Sequence, residues 1–253
     1  MKNPVKTAVG LNAGWLVACL FLGLPSARAD VRLSALFADS MVLQRDQPIR
    51  VWGVAEPGEE VKVSLAGNEV AVKAGTNGSW MVELPAMKEG ESLELKVSGK
   101  NMIVLKNVIV GDVWLCGGQS NMNFQMKDSL GAAADIAGAD FPKIRHIKIN
   151  SVAPSVFLEE HAPVETAWRA CSPQTAGTMT GVGFYFAREV HLKTKVPIGL
   201  VDVNRGGTAI EPWIPQEAMT RIYPTRSPKY WVDQFIAQLP GGLDGMELWV
   251  GTA

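Results

Sequence analysis

The residues best suited to chemistry are Gly117-Gly118-Gln119-Ser120-Asn121-Met122 and, further along, Gly206-Gly207. A serine becomes a nucleophile when its hydroxyl is exposed and polarised donors wait where charge develops on the attacked carbonyl. Ser120 follows an apolar run and precedes residues that can be helical. That context raises its hydroxyl on a tight strand-to-helix turn and puts its own N–H at a helix start, where negative charge is favoured. Gly117 and Gly118 remove side chains that would block the approach of a substrate. The chemistry this arrangement suits is acyl transfer. It is not the Gly-x-Ser-x-Gly elbow of α/β-hydrolases, because Met122 stands where the second glycine would be. The same residues also fit plainer uses, since a serine after a strand commonly caps a helix and a glycine pair can be a simple turn.

The three histidines offer no obvious base. His146 falls inside the strand candidate 144–149, His161 opens His-Ala-Pro, and His191 follows Val190 in a helical pattern, so each reads as a structural or surface residue. Histidines and carboxylates do not cluster at ligand spacing, so no metal and no cofactor is expected, and ester hydrolysis by a serine needs none.

The elements that must position Ser120 can be read from periodicity. Residues 108–116 are almost continuously apolar, as in a strand buried on both faces of a parallel sheet. Residues 121–139 can be helical, 144–149 form a second strand, 180–195 carry Val182, Phe186 and Val190 at helical spacing, and 197–203 form a third strand ending at Gly206-Gly207. This alternation predicts an α/β layer fold, with Ser120 and the glycine pair meeting beyond the carboxyl ends of the strands. Residues 151–172 have weak periodicity and read as a surface loop.

Before residue 108 the texture differs. Residues 48–53, 61–65, 79–84 and 93–97 alternate apolar and polar side chains at the period of two of half-buried strands. Asn77-Gly78 is the strongest hairpin signal between them. These features predict a small antiparallel β-sandwich over residues 30–107, followed by an α/β domain over 108–253.

The segment from Gly111 through Trp114, Gly117, Ser120 and Met122, followed by Gly206-Gly207-Thr208 and Glu211-Pro212-Trp213, resembles the sialate O-acetylesterase family of SGNH-type carbohydrate esterases. The opening stretch from Leu36 to Arg45 is similar to the same family. The resemblance implies an SGNH-like three-layer parallel-sheet domain, present incompletely, behind the β-sandwich. It implies that Ser120 is the nucleophile and that Gly206, with Gly207 as second choice, joins the Ser120 N–H in the oxyanion hole. Gln119, Asn121 and Glu211 match motif positions without a fixed role; Asn121 could cap the helix and Glu211 could pair with Arg205. The family's Trp-x-Gln-Gly-Glu and Asp-x-x-His segments do not occur in the chain. The expectation is therefore a fragment or truncated product that stops before its catalytic Asp and His. The implied substrate is an O-acetylated sugar, sialic acid first and acetylated xylan or another polysaccharide second. A non-catalytic carbohydrate-binding remnant is the reading from a different class.

Residues 1–29 read as an export signal: Lys2 and Lys6, an apolar run over 13–24, and a small-x-small site at Ala27-Arg28-Ala29. Cys19 in Leu16-Val17-Ala18-Cys19 gives a lipoprotein alternative, although the apolar run continues past it. The expected location is periplasmic or extracellular, without stable membrane insertion of the mature chain. Three of the 24 basic residues and none of the 25 acidic ones lie in this leader, so the remainder carries a net charge of −4. With no clustered Lys and Arg, nucleic acid is not an expected partner. Cys116 and Cys171 could pair or remain free thiols.

Overall fold

A computed structural model describes residues 30–149 and 164–210, together with Trp213, Ile214, Glu217, Ala218 and Arg221. The leader, Cys19, His161 and Glu211 lie outside the described residues.

The N-terminal part is built from short alternating strands: β1 (Arg32–Leu33), β2 (Val42–Gln44), β3 (Ile49–Val54), β4 (Glu60–Leu65), β5 (Asn68–Lys73), β6 (Ser79–Leu84) and β7 (Gly90–Ser98). In β3, β4 and β6 every second side chain is buried, the consequence of a period-two pattern with one wet face. A three-stranded sheet, β1-β3-β6, faces the β5-β4-β7 portion of an eight-stranded sheet. Val51, Trp80 and Val82 from the first and Val61, Val63, Leu95 and Val97 from the second share one core.

The hairpin joins β4 to β5 through Ala66 and Gly67, both at positive φ, and not through Asn77-Gly78. Asn77 instead accepts from the Ser79 N–H and hydroxyl in a local turn. Gly78 then accepts from the Ala55 N–H as the chain crosses between sheets. A sequence signal for a tight turn does not say which strands the turn connects.

The pivotal element is β8 (Met102–Gly118), 17 residues that run unbroken through 107–108. Its first part pairs antiparallel with β7 and its last part pairs parallel with β11 (Ile198–Asn204). At the junction Asn107 adopts φ 55, a left-handed conformation that asparagine tolerates. The buried Arg145 guanidinium donates to both the Asn107 carbonyl and its side-chain oxygen.

Beyond β8 come α1 (Ser120–Asn123), a 3-10 turn (Met126–Asp128), α2 (Ala132–Ala137), β9 (Phe141–Ile149), β10 (Val164–Cys171), a second 3-10 turn (Ala176–Thr178), α3 (Gly181–Thr194) and β11. β11 lies between β8 and β9 and is parallel to both, so the α/β expectation holds where it matters for the site. Residues 164–171, expected as loop, form a strand antiparallel to β9, and Trp168 on it donates its indole N–H to the Leu36 carbonyl. The helical stretch expected over 121–139 is broken into three short pieces. Gly131, at φ 75, and the non-helical Gln125 and Ser129 interrupt it.

Among the described residues the helices cover one face of the parallel strands. Phe184, Ala187 and Met179 pack there on Cys116, Ile144, Ile198 and Leu200. The other face joins the sandwich core through Ile147, Ile149 and Trp168. The buried stripe of α3 is Gly181, Gly183, Phe184 and Ala187; Val182 and Phe186, read from the sequence as its apolar face, point outward. Small residues set that face because the helix sits close to the sheet. A side chain begun at Gly183 would meet Cys116 Sγ at 3.0 Å.

Candidate active site

Ser120 is raised on the turn that ends β8. Gly118 adopts φ 141, a conformation side chains avoid, and this turns the chain from the strand into α1. The Asn123 N–H donates to the Gln119 carbonyl at 2.9 Å, closing a single helical turn. That turn is fastened from beneath. The Asn204 amide donates to the Met122 carbonyl at 3.3 Å and to the Asp202 carboxylate, while the Thr180 hydroxyl touches Met122 Sδ at 3.5 Å. Downstream, the Gly181 N–H donates to Phe124 O at 2.8 Å and the Met126 N–H to Met179 O at 2.9 Å, tying the segment to the start of α3. Ser120 remains exposed above these anchors.

The parallel register pairs Asn204 with Gly118, so the loop after β11 leaves the sheet beside Ser120. The Arg205 N–H donates to Gly118 O at 3.0 Å and holds the two ends together. A side chain begun at Gly206 would stand 3.7 Å from Ser120 Oγ. Gly207 has φ 78 and open surroundings, so it serves the turn, and Gly206 is the glycine that approaches the serine.

Gln119 is the cap of α1 and Asn121, one residue inside the helix, is not. The Gln119 side-chain oxygen accepts from the Ser120 N–H at 3.0 Å and from the Ser120 hydroxyl at 2.6 Å. Asn121 is exposed on the same turn.

Several residues near the site carried no sequence signal. Asn123 lies 3.9 Å from the position of a Gly206 Cβ, and Lys148 on β9 reaches its side-chain oxygen at 3.5 Å. Asp202 is only 3% exposed, in register with Cys116 on β8 and Lys148 on β9. Burial pushes its carboxyl up to about 6, against the attraction of Lys148 and with the repulsion of Glu165. A polar residue alternating with Val201 and Val203 on a strand could have suggested this, but nothing in the sequence says which face lies under the serine turn.

On the opposite face of β8 a hollow of about 420 Å³ opens beside the turn, lined by Leu115, Gly117, Gln119, Thr208, Ile210 and Trp213. The Trp213 indole N–H donates to the Thr208 hydroxyl at 2.9 Å, and the ring lies over Gly117. Leu115 is 71% exposed there.

Neither described histidine meets the serine. His146 is 2% exposed on β9, opposite Leu200, with β11 standing between it and β8. The Arg169 guanidinium can only donate, so His146 Nε2 accepts at 3.4 Å and Nδ1 carries the proton. Burial first, then Arg169 and Lys148, depress this imidazole to about 4, keeping it neutral. His191 sits in the last turns of α3 with Nδ1 2.7 Å from the Val196 carbonyl. Cys116 and Cys171 are free and buried, and burial raises both thiols to about 12. Among the described residues no group of His, Cys, Asp or Glu could hold a metal ion.

Fold and site together define an α/β protein in which a parallel sheet presents an exposed serine and a close glycine at its carboxyl rim. The family described as carbohydrate esterase, sialic acid-specific acetylesterase, matches residues 110–230. Human sialate O-acetylesterase is 30% identical over 224 residues, covering 81% of this chain and 43% of the human protein. The mouse sialate O-acetylesterase is 32% identical over 209 residues, covering 74% of this chain and 38% of its own length. The crystal structure of a carbohydrate acetylesterase from Xanthomonas citri superposes with TM-score 0.70 at 36% identity, covering 79% of this chain and 46% of that one. The chain belongs to the sialate O-acetylesterase family of carbohydrate esterases. It spans less than half the length of these relatives.

Proposed function

We propose that this chain carries the nucleophile-bearing part of a serine esterase that removes O-acetyl groups from sugars. The observation that carries the reading is the placement of Gly206 against Ser120 Oγ at the ends of two paired parallel strands. Ser120 Oγ attacks the acetyl carbonyl carbon, and the carbonyl π electrons move onto oxygen. The N–H groups of Ser120 and Gly206 hold that oxyanion; one such donor is worth about 3 kcal/mol in the transition state. The tetrahedral intermediate collapses by breaking the bond to the sugar oxygen, which leaves with a proton as the free hydroxyl. Water then attacks the acetyl-serine, releasing acetate and restoring Ser120. The proton taken from Ser120 passes to a base that is not among the described residues.

O-acetylated sialic acid is the first candidate substrate, because the matching family and the mammalian relatives are named for it. Acetylated xylan or another acetylated polysaccharide is the second, supported by the broader name of the Xanthomonas citri protein. The sugar enters over the hollow beside Gln119, where Trp213 offers an aromatic face. Residues 30–107 act as a β-sandwich domain and residues from 108 as the esterase part. Export through the leader delivers the protein to the periplasm or the exterior. Among the described residues no helix is long and apolar enough to cross a membrane.

The test is hydrolysis of p-nitrophenyl acetate by the chain and by Ser120→Ala, alongside binding of acetylated sugars. Turnover abolished in Ser120→Ala supports the esterase; equal turnover by both proteins refutes the nucleophile. Sugar binding without any Ser120-dependent turnover would favour the non-catalytic binding module instead.

A further inference from the structure

Gln119 makes an unusual cap. A capping side chain ordinarily accepts from the N–H of the second or third helical residue. Here a single oxygen accepts from both the N–H and the hydroxyl of Ser120, the first helical residue, at 3.0 and 2.6 Å. The atom must be the amide oxygen, because a backbone N–H can only donate. An acceptor oxygen held by the Ser120 N–H beside Oγ stands where the oxygen of an attacked acetyl group would be held as it becomes the oxyanion. Gln119 also lines the hollow beside the turn, so its side chain stands at the entrance and within the site at once.

We propose that the Gln119 carboxamide is a resident placeholder in the oxyanion site, a positioning residue that keeps the Ser120 N–H and hydroxyl satisfied and aligned until an acyl oxygen displaces it. This rests on the reading of Ser120 as the nucleophile. Both groups are exposed, so without an internal acceptor they would be solvated by water that the substrate would have to strip away. A tethered amide holds the donor direction fixed at little entropic cost, since only one side chain moves aside.

The experiment uses acetate as a small anion that can take the oxyanion position, followed at the Ser120 amide by proton–nitrogen NMR in the full chain. Gln119→Ala removes the occupant, and acetate is expected to bind about fivefold more tightly, the worth of one ordinary hydrogen bond. Gln119→Glu keeps the shape and both acceptor contacts but adds charge. At neutral pH its carboxylate should hold the site against a second anion, so acetate binding should be lost. Weaker or unchanged binding in Gln119→Ala, or acetate binding in Gln119→Glu as tight as in the parent chain, overturns the placeholder while leaving the site reading intact. If acetate fails to shift the Ser120 amide in every variant, the oxyanion site itself is wrong and the placeholder falls with it.

Discussion

Replacing Asp202 with asparagine should make the protein more stable at neutral pH, and the pH profile of that gain is the informative quantity. The carboxyl is buried beneath the serine turn, between Cys116 on β8 and Lys148 on β9, with Glu165 on β10 adding repulsion. It titrates at about 6 in the folded chain against 3.8 for an ordinary aspartate. At 1.36 kcal/mol per pH decade, that difference is worth about 3 kcal/mol. The sign follows from which state binds more protons. Below about pH 4 folded and unfolded chains both carry the proton, so Asp202 costs nothing. Between 3.8 and 6 the unfolded chain releases its proton while the folded chain keeps it, and stability falls with rising pH. Above 6 the folded state carries the full penalty of a buried anion. Asparagine retains the oxygen that accepts from Asn204 and has no charge to bury. Urea unfolding should show Asp202→Asn about 2–3 kcal/mol more stable at pH 7.5 and equal to the parent near pH 4. A constant offset between the two proteins across this range would refute the reasoning, as would a carbon NMR titration of Asp202 with a midpoint near 4.

Phe184→Ala empties a fully buried site between α3 and the sheet and should cost about 3–5 kcal/mol in the same unfolding assay. Gly206→Val keeps the backbone N–H but fills the space beside Ser120 Oγ. It should lower Ser120-dependent p-nitrophenyl acetate turnover by at least ~100-fold with little change in melting temperature. Cys116 and Cys171, buried with thiols held near 12, should resist an aromatic disulfide reagent in the native protein and react fully in denaturant. Trp213→Ala removes the aromatic ring that lines the hollow and should weaken binding of an acetylated sugar by about tenfold or more, read by calorimetry.

What the sequence determined by itself was the local pattern around the site. The period-two strands 49–54, 60–65 and 79–84, and β8, α3 and β11 as elements, were all legible, because burial on a given face constrains residue type at fixed intervals. Residues 108–116 are not buried on both faces as expected: Trp114 and Leu115 are exposed. The convergence of Ser120 and Gly206 was legible too, since parallel strands deliver their following loops to one rim. Tertiary structure decided the rest. The partner of each strand is not encoded locally, so Ala66-Gly67 became the hairpin while Asn77-Gly78 became a crossing between sheets. The inward face of α3 was set by how closely it packs, which favoured Gly183 over the larger Val182 and Phe186. The Asp202–Asn204 support, the approach of Asn123 and Lys148, and the return of Gln119 onto Ser120 all join groups through space. Only the folded chain fixes such distances, because hydrogen bonds and contacts depend on ångströms that spacing along a sequence does not specify.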